Sequence, residues 1–168
     1  DAQELLFGVS SEVAGKTLEH VEGVTQDAIN RISLLQAGDL PPGLPTGFEA
    51  LDRMLGGFSK GDLIILAARP SMGKTSLALA LAYNAAKLVK ARVGFFSLEM
   101  SKLQVAERWL SMVSSIDSTN MRLGKVQDSQ WPVLMEAAND ISRQPLYIDD
   151  TPALTITEVR TRARRVWA

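Results

Sequence analysis

Cysteine is absent from this 168-residue chain and histidine occurs once, at position 20. The first absence excludes disulfides, thiolate nucleophiles and cysteine-ligated zinc; the second excludes a histidine pair for catalysis or metal binding. His20 stands among Glu19 and Glu22, the setting of a solvated surface histidine. A strong charge of either sign is missing too. The net charge is −1, so no global basic field attracts nucleic acid; the acidic excess lies in the first half and the basic excess in the second, and any nucleic-acid site is local. No apolar run approaches the roughly 18 to 20 residues of a membrane span, and no charged-then-apolar leader opens the chain. These absences point to a cytoplasmic setting without membrane contact. Asp1 is not an initiator residue and a pattern is already running there, so the chain is expected to be a piece of a longer one. Its 46% hydrophobic content suffices for a core of ordinary size, in one domain plus an appendage.

What is present is organised around residues 63–76. The apolar run Leu63-Ile64-Ile65-Leu66-Ala67 suits a strand buried on both faces, as parallel strands are in α/β domains. Leu77, Ala78, Leu81, Ala82 and Ala85 then recur at helical spacing. Between them Ala68-Arg69-Pro70-Ser71-Met72-Gly73-Lys74-Thr75-Ser76 has the layout of a phosphate-binding P-loop, with Ala68 where the full pattern has glycine. The chemistry follows from the position. Unpaired N–H groups and the positive end of the helix dipole favour a polyphosphate, and Gly73 lets the backbone come close. Lys74 supplies a mobile cation for the β- and γ-phosphates of ATP, and the Thr75 hydroxyl can ligate a magnesium ion shared with them. The bland alternative is a strand-turn-helix with one exposed lysine.

Residues 1–38 are mostly helical in pattern, with a narrow apolar stripe of Val21, Val24, Ala28, Ile32 and Leu35. Such a stripe packs either on its own domain or on a neighbouring subunit. Three prolines and two glycines between Gly38 and Pro45 forbid helix continuation, so residues 39–46 form a connector and 47–168 the main domain. Thr46 and Glu49 have capping-box spacing ahead of a helix over 47–55 that stops at Gly56-Gly57. Residues 92–97 form a second short strand, with Glu99 just past its carboxyl end. Ligand crevices of open α/β sheets lie at that end, which places Glu99 on the rim with Gly73 and Lys74. There it is either an exposed carboxylate or the base that orients and deprotonates the water attacking the γ-phosphate. Ser101 to Gln104 opens a helix whose apolar face is Leu103, Ala106, Leu110 and Val113, with Trp109 close by. Met100, Met112, Met121 and Met135 suit adaptable core filler. Ser118 and Asp128 are candidate caps for two more helices, the second carrying Trp131, Leu134, Met135 and Ala138. Residues 145–150 form a third strand ending in Asp149-Asp150, a thin match to a Walker B magnesium ligand. Thr155 to Glu158 makes a last capping box, on a helix bearing Arg160, Arg162, Arg164 and Arg165.

Taken together these residues resemble the DnaB-type replicative DNA helicases, within the RecA-like motor ATPases. The likeness rests on Leu44-Pro45-Thr46-Gly47-Phe48 with Leu51-Asp52, on Ala67 to Thr75, on Ser97-Leu98-Glu99-Met100-Ser101, and on Ile148-Asp149-Asp150-Thr151-Pro152, in the family's order over about residues 20–168. It implies an α/β fold, a partial RecA-like P-loop NTPase core with a parallel sheet flanked by helices and an N-terminal helical linker segment. Within the family Ala68 is ordinary and a glutamate base stands where Glu99 does. The resemblance further implies a linker helix at about 25–37 that packs on the next protomer of a hexameric ring. ATP and Mg2+ as cofactors, single-stranded and fork DNA as substrate, and a primase and a helicase loader as partners come with it. It also places the Walker B aspartate, the DNA-contacting loops and the arginine finger later than Ala168, so Asp149 and Asp150 look like a neighbouring strand's end. The chain then looks like the first half of a motor domain that by itself does little beyond binding nucleotide. Two other readings compete: a KaiC-like or RadA-like RecA-fold ATPase, and a non-hydrolysing loader or assembly protein of the same fold.

Overall fold

The computed structural model describes residues 18 and 20–167, and the chain divides into two compact units with the boundary between Pro42 and Gly43. The helical pattern expected over residues 1–17 lies outside the described residues. The first unit contributes α1, Val21–Ala37, which starts four residues earlier than the linker helix expected at about 25–37. His20 caps it, its Nδ1 accepting from the Glu22 N–H at 3.4 Å, and its side chain is 83% exposed. Gly38, left-handed at φ 80, ends the helix: its N–H reaches Leu35 O at 3.2 Å and the Asp39 N–H reaches Leu34 O at 3.0 Å, the paired closure of a Schellman motif. No residue of α1 is buried.

In the second unit, Leu44 pairs with Phe58 in an isolated antiparallel bridge around α2, Glu49–Leu55. The expected Thr46–Glu49 capping box does not form. The Asp52 carboxylate takes both the Thr46 N–H (2.7 Å) and the Gly47 N–H (3.2 Å), Thr46 Oγ1 accepts from Phe48, and Glu49 turns outward to Arg53. Asp52 thus holds the Thr46 N–H that the Glu49 carboxylate would hold in a box, and the Thr46 hydroxyl holds the N–H of Phe48 in place of that of Glu49. Thr46 is thereby buried, and Asn84 Nδ2 donates to its carbonyl at 2.9 Å. Gly47 is required here: a Cβ would come within 2.4 Å of the Asn84 amide, and its φ is +79.

The core forms where α3, Lys74–Val89, and α4, Lys102–Ser114, meet the sheet. The sheet is a parallel pair, β1 Val93–Phe96 and β2 Leu146–Asp149, in register Val93↔Leu146 to Phe96↔Asp149. Leu79 and Tyr83 of α3 and Val105 and Trp109 of α4 are buried together, with Phe95, Leu146 and Ile148 packed against them. Trp109 Nε1 donates to Leu79 O at 2.9 Å, and its ring meets Phe95 edge to face at 5.8 Å. The helix therefore buries Val105 and Trp109, with Val113 half-buried in the same row at spacing four, and leaves Leu103 exposed, because burying the large indole decides which face turns inward. After the short α5, Ser118–Arg122, comes α6, Trp131–Ser142, which buries Leu134 and Ala137 and leaves Trp131 exposed. Asp117 is the N-cap of α5, one residue before the serine expected there, since its carboxylate reaches both Thr119 N and Asn120 N. Asp128 lies in a 3-10 turn ahead of α6 and does not cap it. Of the methionines expected as core filler, Met100 packs on the core while Met112 and Met135 are exposed. The last helix, α7 Ile156–Trp167, opens on the expected box: Thr155 N donates to Glu158 Oε2 at 2.8 Å and Glu158 N to Thr155 Oγ1 at 3.3 Å.

One expected element is missing. Residues 63–67 form no strand; Leu63 is 87% exposed and Ile65 81%. An apolar segment becomes a strand only when a neighbour takes its N–H and C=O groups, and among the described residues β1 pairs with β2 alone. The run is apolar enough for a buried strand but has no ladder partner.

Candidate active site

Residues 69–76 fold into a loop whose geometry follows from proline and glycine. The Met72 N–H closes on Arg69 O at 3.3 Å, with Pro70 second and Ser71 third at φ 64, the pattern of a type II turn. A left-handed serine costs about 1–2 kcal/mol. Gly73 follows, also left-handed at φ 84, and is the N-cap of α3. No side chain caps this helix, and a Cβ built on Gly73 would meet nothing within 4 Å. The N–H groups of Lys74, Thr75 and Ser76 have no intrahelical acceptor, since the first bond back to Gly73 O comes from Leu77 at 2.9 Å. Ala68 through Lys74, and Ser76, are exposed; Thr75 is half-buried. Among the described residues no carboxylate pairs with Lys74. Oriented donors, a helix dipole and an unpaired cation in one place favour a polyanion.

Glu99 lies in the loop that leaves β1. The loop is tightly held: Ser97 is buried, its N–H donates to Asp149 O at 2.8 Å, its Oγ donates to Met100 O at 2.6 Å and accepts from Met100 N at 3.2 Å. Ser101 closes the far end in the expected capping box with Gln104. Glu99 is exposed between these ties. There is no strand at 63–67 to form the rim expected for Glu99 and Lys74; α3 packs on β1, and a groove of about 470 Å3 there is lined by Ser76 and Leu79 of α3 and by Met100, with neither Lys74 nor Glu99 in its lining.

Asp149 and Asp150 do not join a metal-binding group; no cluster of three or more such ligands occurs among the described residues. Asp149 takes Arg162 of α7 at 2.5 Å and caps Thr151 N at 3.0 Å. The Arg162 guanidinium, with Thr151, holds its carboxyl down at about 2. A depressed carboxyl contributes stability above its ordinary range, near pH 4, and loses it as pH falls toward 2, so this fastening of α7 is intact at neutral pH. Sequence reasoning missed the roles of Asp52, Asn84 and Asp150, all of which bond to groups five or more residues away in the chain.

Comparison with known proteins meets this geometry from the other side. The sequence profile of the DnaB-like helicase C-terminal domain matches residues 43–168. The chain belongs to the DnaB-type replicative helicase family. It is 42% identical over 167 residues to the replicative DNA helicase DnaB of Nostoc sp., covering 99% of this chain and 19% of that protein. To the DnaB of Geobacillus stearothermophilus it is 37% identical, covering 99% and 37%. Among solved structures one ATPase domain superposes with a TM-score of 0.81 at 27% identity, over 89% of this chain and 52% of that one. A DnaB-like replicative helicase, solved in a study of its interactions with primase, superposes with a TM-score of 0.74 at 26% identity, over 97% and 39%. The chain therefore has the RecA-like helicase fold in part and spans well under half the length of these curated DnaB relatives. The family match replaces the KaiC-like or RadA-like alternative. No helix among the described residues is long and apolar enough to cross a membrane.

Proposed function

We propose that this chain is the nucleotide-binding half of an ATP-driven helicase motor, in which hydrolysis at the P-loop drives translocation on single-stranded DNA and unwinding of the replication fork. The observation that carries the reading is the uncapped N-terminus of α3 behind Gly73, with exposed Lys74 as its first residue. In this reading the backbone of residues 68–76 cradles the phosphates of ATP, Lys74 neutralises the β- and γ-phosphates, and Glu99 orients and deprotonates the attacking water. Thr75, half-buried as the second residue of α3, is the residue of this stretch whose hydroxyl would hold Mg2+, which when bound spreads the charge developing on the phosphate oxygens. In this reading α1 is the linker helix, residues 39–46 the connector and 47–168 the motor, and the family match over residues 43–168 supports the last of these. It likewise supports assembly as a hexamer in the cytoplasm, with primase and loader as partners. The direct test is the intact helicase on a forked duplex: strand separation that needs ATP and magnesium supports the reading, and ATP-independent binding without separation favours the non-hydrolysing assembly protein.

Ring formation has its own test. α1 shows an apolar stripe without a buried residue, and Val21, Ile29 and Ile32 are more than half exposed. In this proposal the stripe lies on the next protomer. Ile32→Asp with Leu35→Asp puts charge into that contact, and light scattering is expected to show the intact helicase shift from hexamer to smaller species with its helical content kept. An unchanged mass for the folded variant would place the stripe against its own protomer.

A further inference from the structure

The Asp149-Asp150 pair at the end of β2 has no part in the chemistry above, yet both carboxylates are committed. Asp149 is spent on Arg162 and Thr151. Asp150 reaches the other way, 48 residues back in the chain: its Oδ2 accepts from the Lys102 N–H at 2.9 Å. Lys102 is the first residue of α4, directly after the loop that carries Glu99. Its N–H is one of the donors that a helix leaves unsatisfied at its start, and the Ser101 hydroxyl has already taken the N–H of Gln104. A carboxylate there also faces the positive end of the α4 dipole, which makes the bond charge-assisted. The accompanying approach to Lys102 Nζ, 3.9 Å away on a side chain 73% exposed, adds little.

The loop 97–101 is thus held to β2 at both ends. At its start Ser97 N is bonded to Asp149 O, continuing the β1–β2 ladder one step past Phe96; at its end Lys102 N is bonded to the Asp150 side chain. Leu98 and Glu99 are exposed on the span between, while Met100 is anchored in the core. Removing the Asp150 tie loosens the α4 side of the loop, where the Ser101–Gln104 box makes no bond to β2, and leaves the P-loop, on another element, untouched.

We propose that Asp150 is a positioning residue for Glu99: it fixes the start of α4 and thereby the height and direction of the loop from which Glu99 reaches its water. This rests on the reading of Glu99 as the base. A misplacement of about 1 Å at a reacting group costs on the order of a hundredfold, and the loop keeps its Ser97–Met100 bonds when the Asp150 tie is removed, so a smaller loss is expected. In the intact helicase with DNA and magnesium, Asp150→Ala is therefore expected to lower kcat for ATP hydrolysis roughly tenfold, leaving KM and nucleotide affinity within about twofold. Asp150→Asn keeps an acceptor oxygen and recovers most of the rate. Amide hydrogen exchange should quicken at Lys102 and along 98–101, with no change at Lys74 to Ser76. The deciding comparison is a cycle: in a Glu99→Gln background, Asp150→Ala costs less than about twofold, because the residue it positions is already disabled. Asp150→Ser, too short to reach Lys102, serves the same comparison where the alanine variant is unstable. A full tenfold loss in the Glu99→Gln background, or an equal change in KM, assigns Asp150 to the general fold and overturns the proposal. No loss in Asp150→Ala beside an inactive Glu99→Gln overturns it while leaving Glu99 as base. Wild-type hydrolysis in Glu99→Gln removes the base itself and the proposal with it.

Discussion

Lys74→Ala in the intact helicase is expected to weaken ATP binding by about ten- to a hundredfold and to abolish measurable turnover. The first figure follows from losing hydrogen bonds to charged phosphate oxygens, each worth roughly 1.5–3 kcal/mol, where about 1.4 kcal/mol is tenfold in affinity. The second follows because the same cation faces charge that grows in the transition state, and losing one such preorganised donor costs about a hundred- to a thousandfold on its own. The variant should be as stable as the parent. Lys74 is exposed, pairs with no carboxylate among the described residues and sits at the first position of α3, where alanine is at least as good a helix former. Lys74→Arg should not restore activity, since a planar fork does not replace a compact ammonium beside a tight loop. Nucleotide titration and DNA-stimulated ATPase rates, with a melting curve as control, check all three statements. Wild-type ATPase activity in Lys74→Ala would take Lys74 out of the site.

How far the sequence foretold the structure depends on the span of each interaction. The α3 start at Gly73-Lys74, the Ser101–Gln104 and Thr155–Glu158 boxes and the stop of α2 at Gly56 were legible because each is complete within one helical turn. β1 and β2 were legible from composition, though which strand pairs with which was not. Failures begin where a more distant group competes. Thr46 and Glu49 had the right spacing for a box, but Asp52 took the Thr46 N–H and the Thr46 hydroxyl took the N–H of Phe48. Leu103 had the right spacing for a core face, but Trp109, bonded to Leu79 O on another helix, set the rotation of α4. Residues 63–67 had the composition of a buried strand, and a strand needs a partner that no local pattern can supply. At the candidate site the same division holds. The phosphate loop was visible as a motif, whereas the tie from Asp150 to Lys102 spans 48 residues and leaves no local trace.

Glu99→Gln is expected to separate binding from turnover. Glutamine keeps the length of the side chain and one acceptor oxygen but loses charge and basicity, so a water can still be held and no longer deprotonated. Hydrolysis in the intact helicase, with DNA and magnesium present, should fall by roughly a hundredfold or more, the usual contribution of a general base. Nucleotide affinity should stay nearly unchanged, because Glu99 stands on the β1 exit loop while the phosphates are assigned to the α3 start. A loss confined to kcat, with KM unaffected, is the mark of an interaction made only in the transition state; Lys74→Ala, which touches phosphate in both states, should damage both parameters. The fold offers no competing explanation, since Glu99 is exposed and the hydrogen bonds that hold its loop come from Ser97, Ser101, Gln104 and Asp150. Single-turnover rates beside equilibrium binding of a non-hydrolysable analogue make the distinction. If Glu99→Gln hydrolyses ATP within about threefold of the parent rate, well short of a base's contribution, Glu99 is a solvated rim carboxylate and the base lies elsewhere in the helicase.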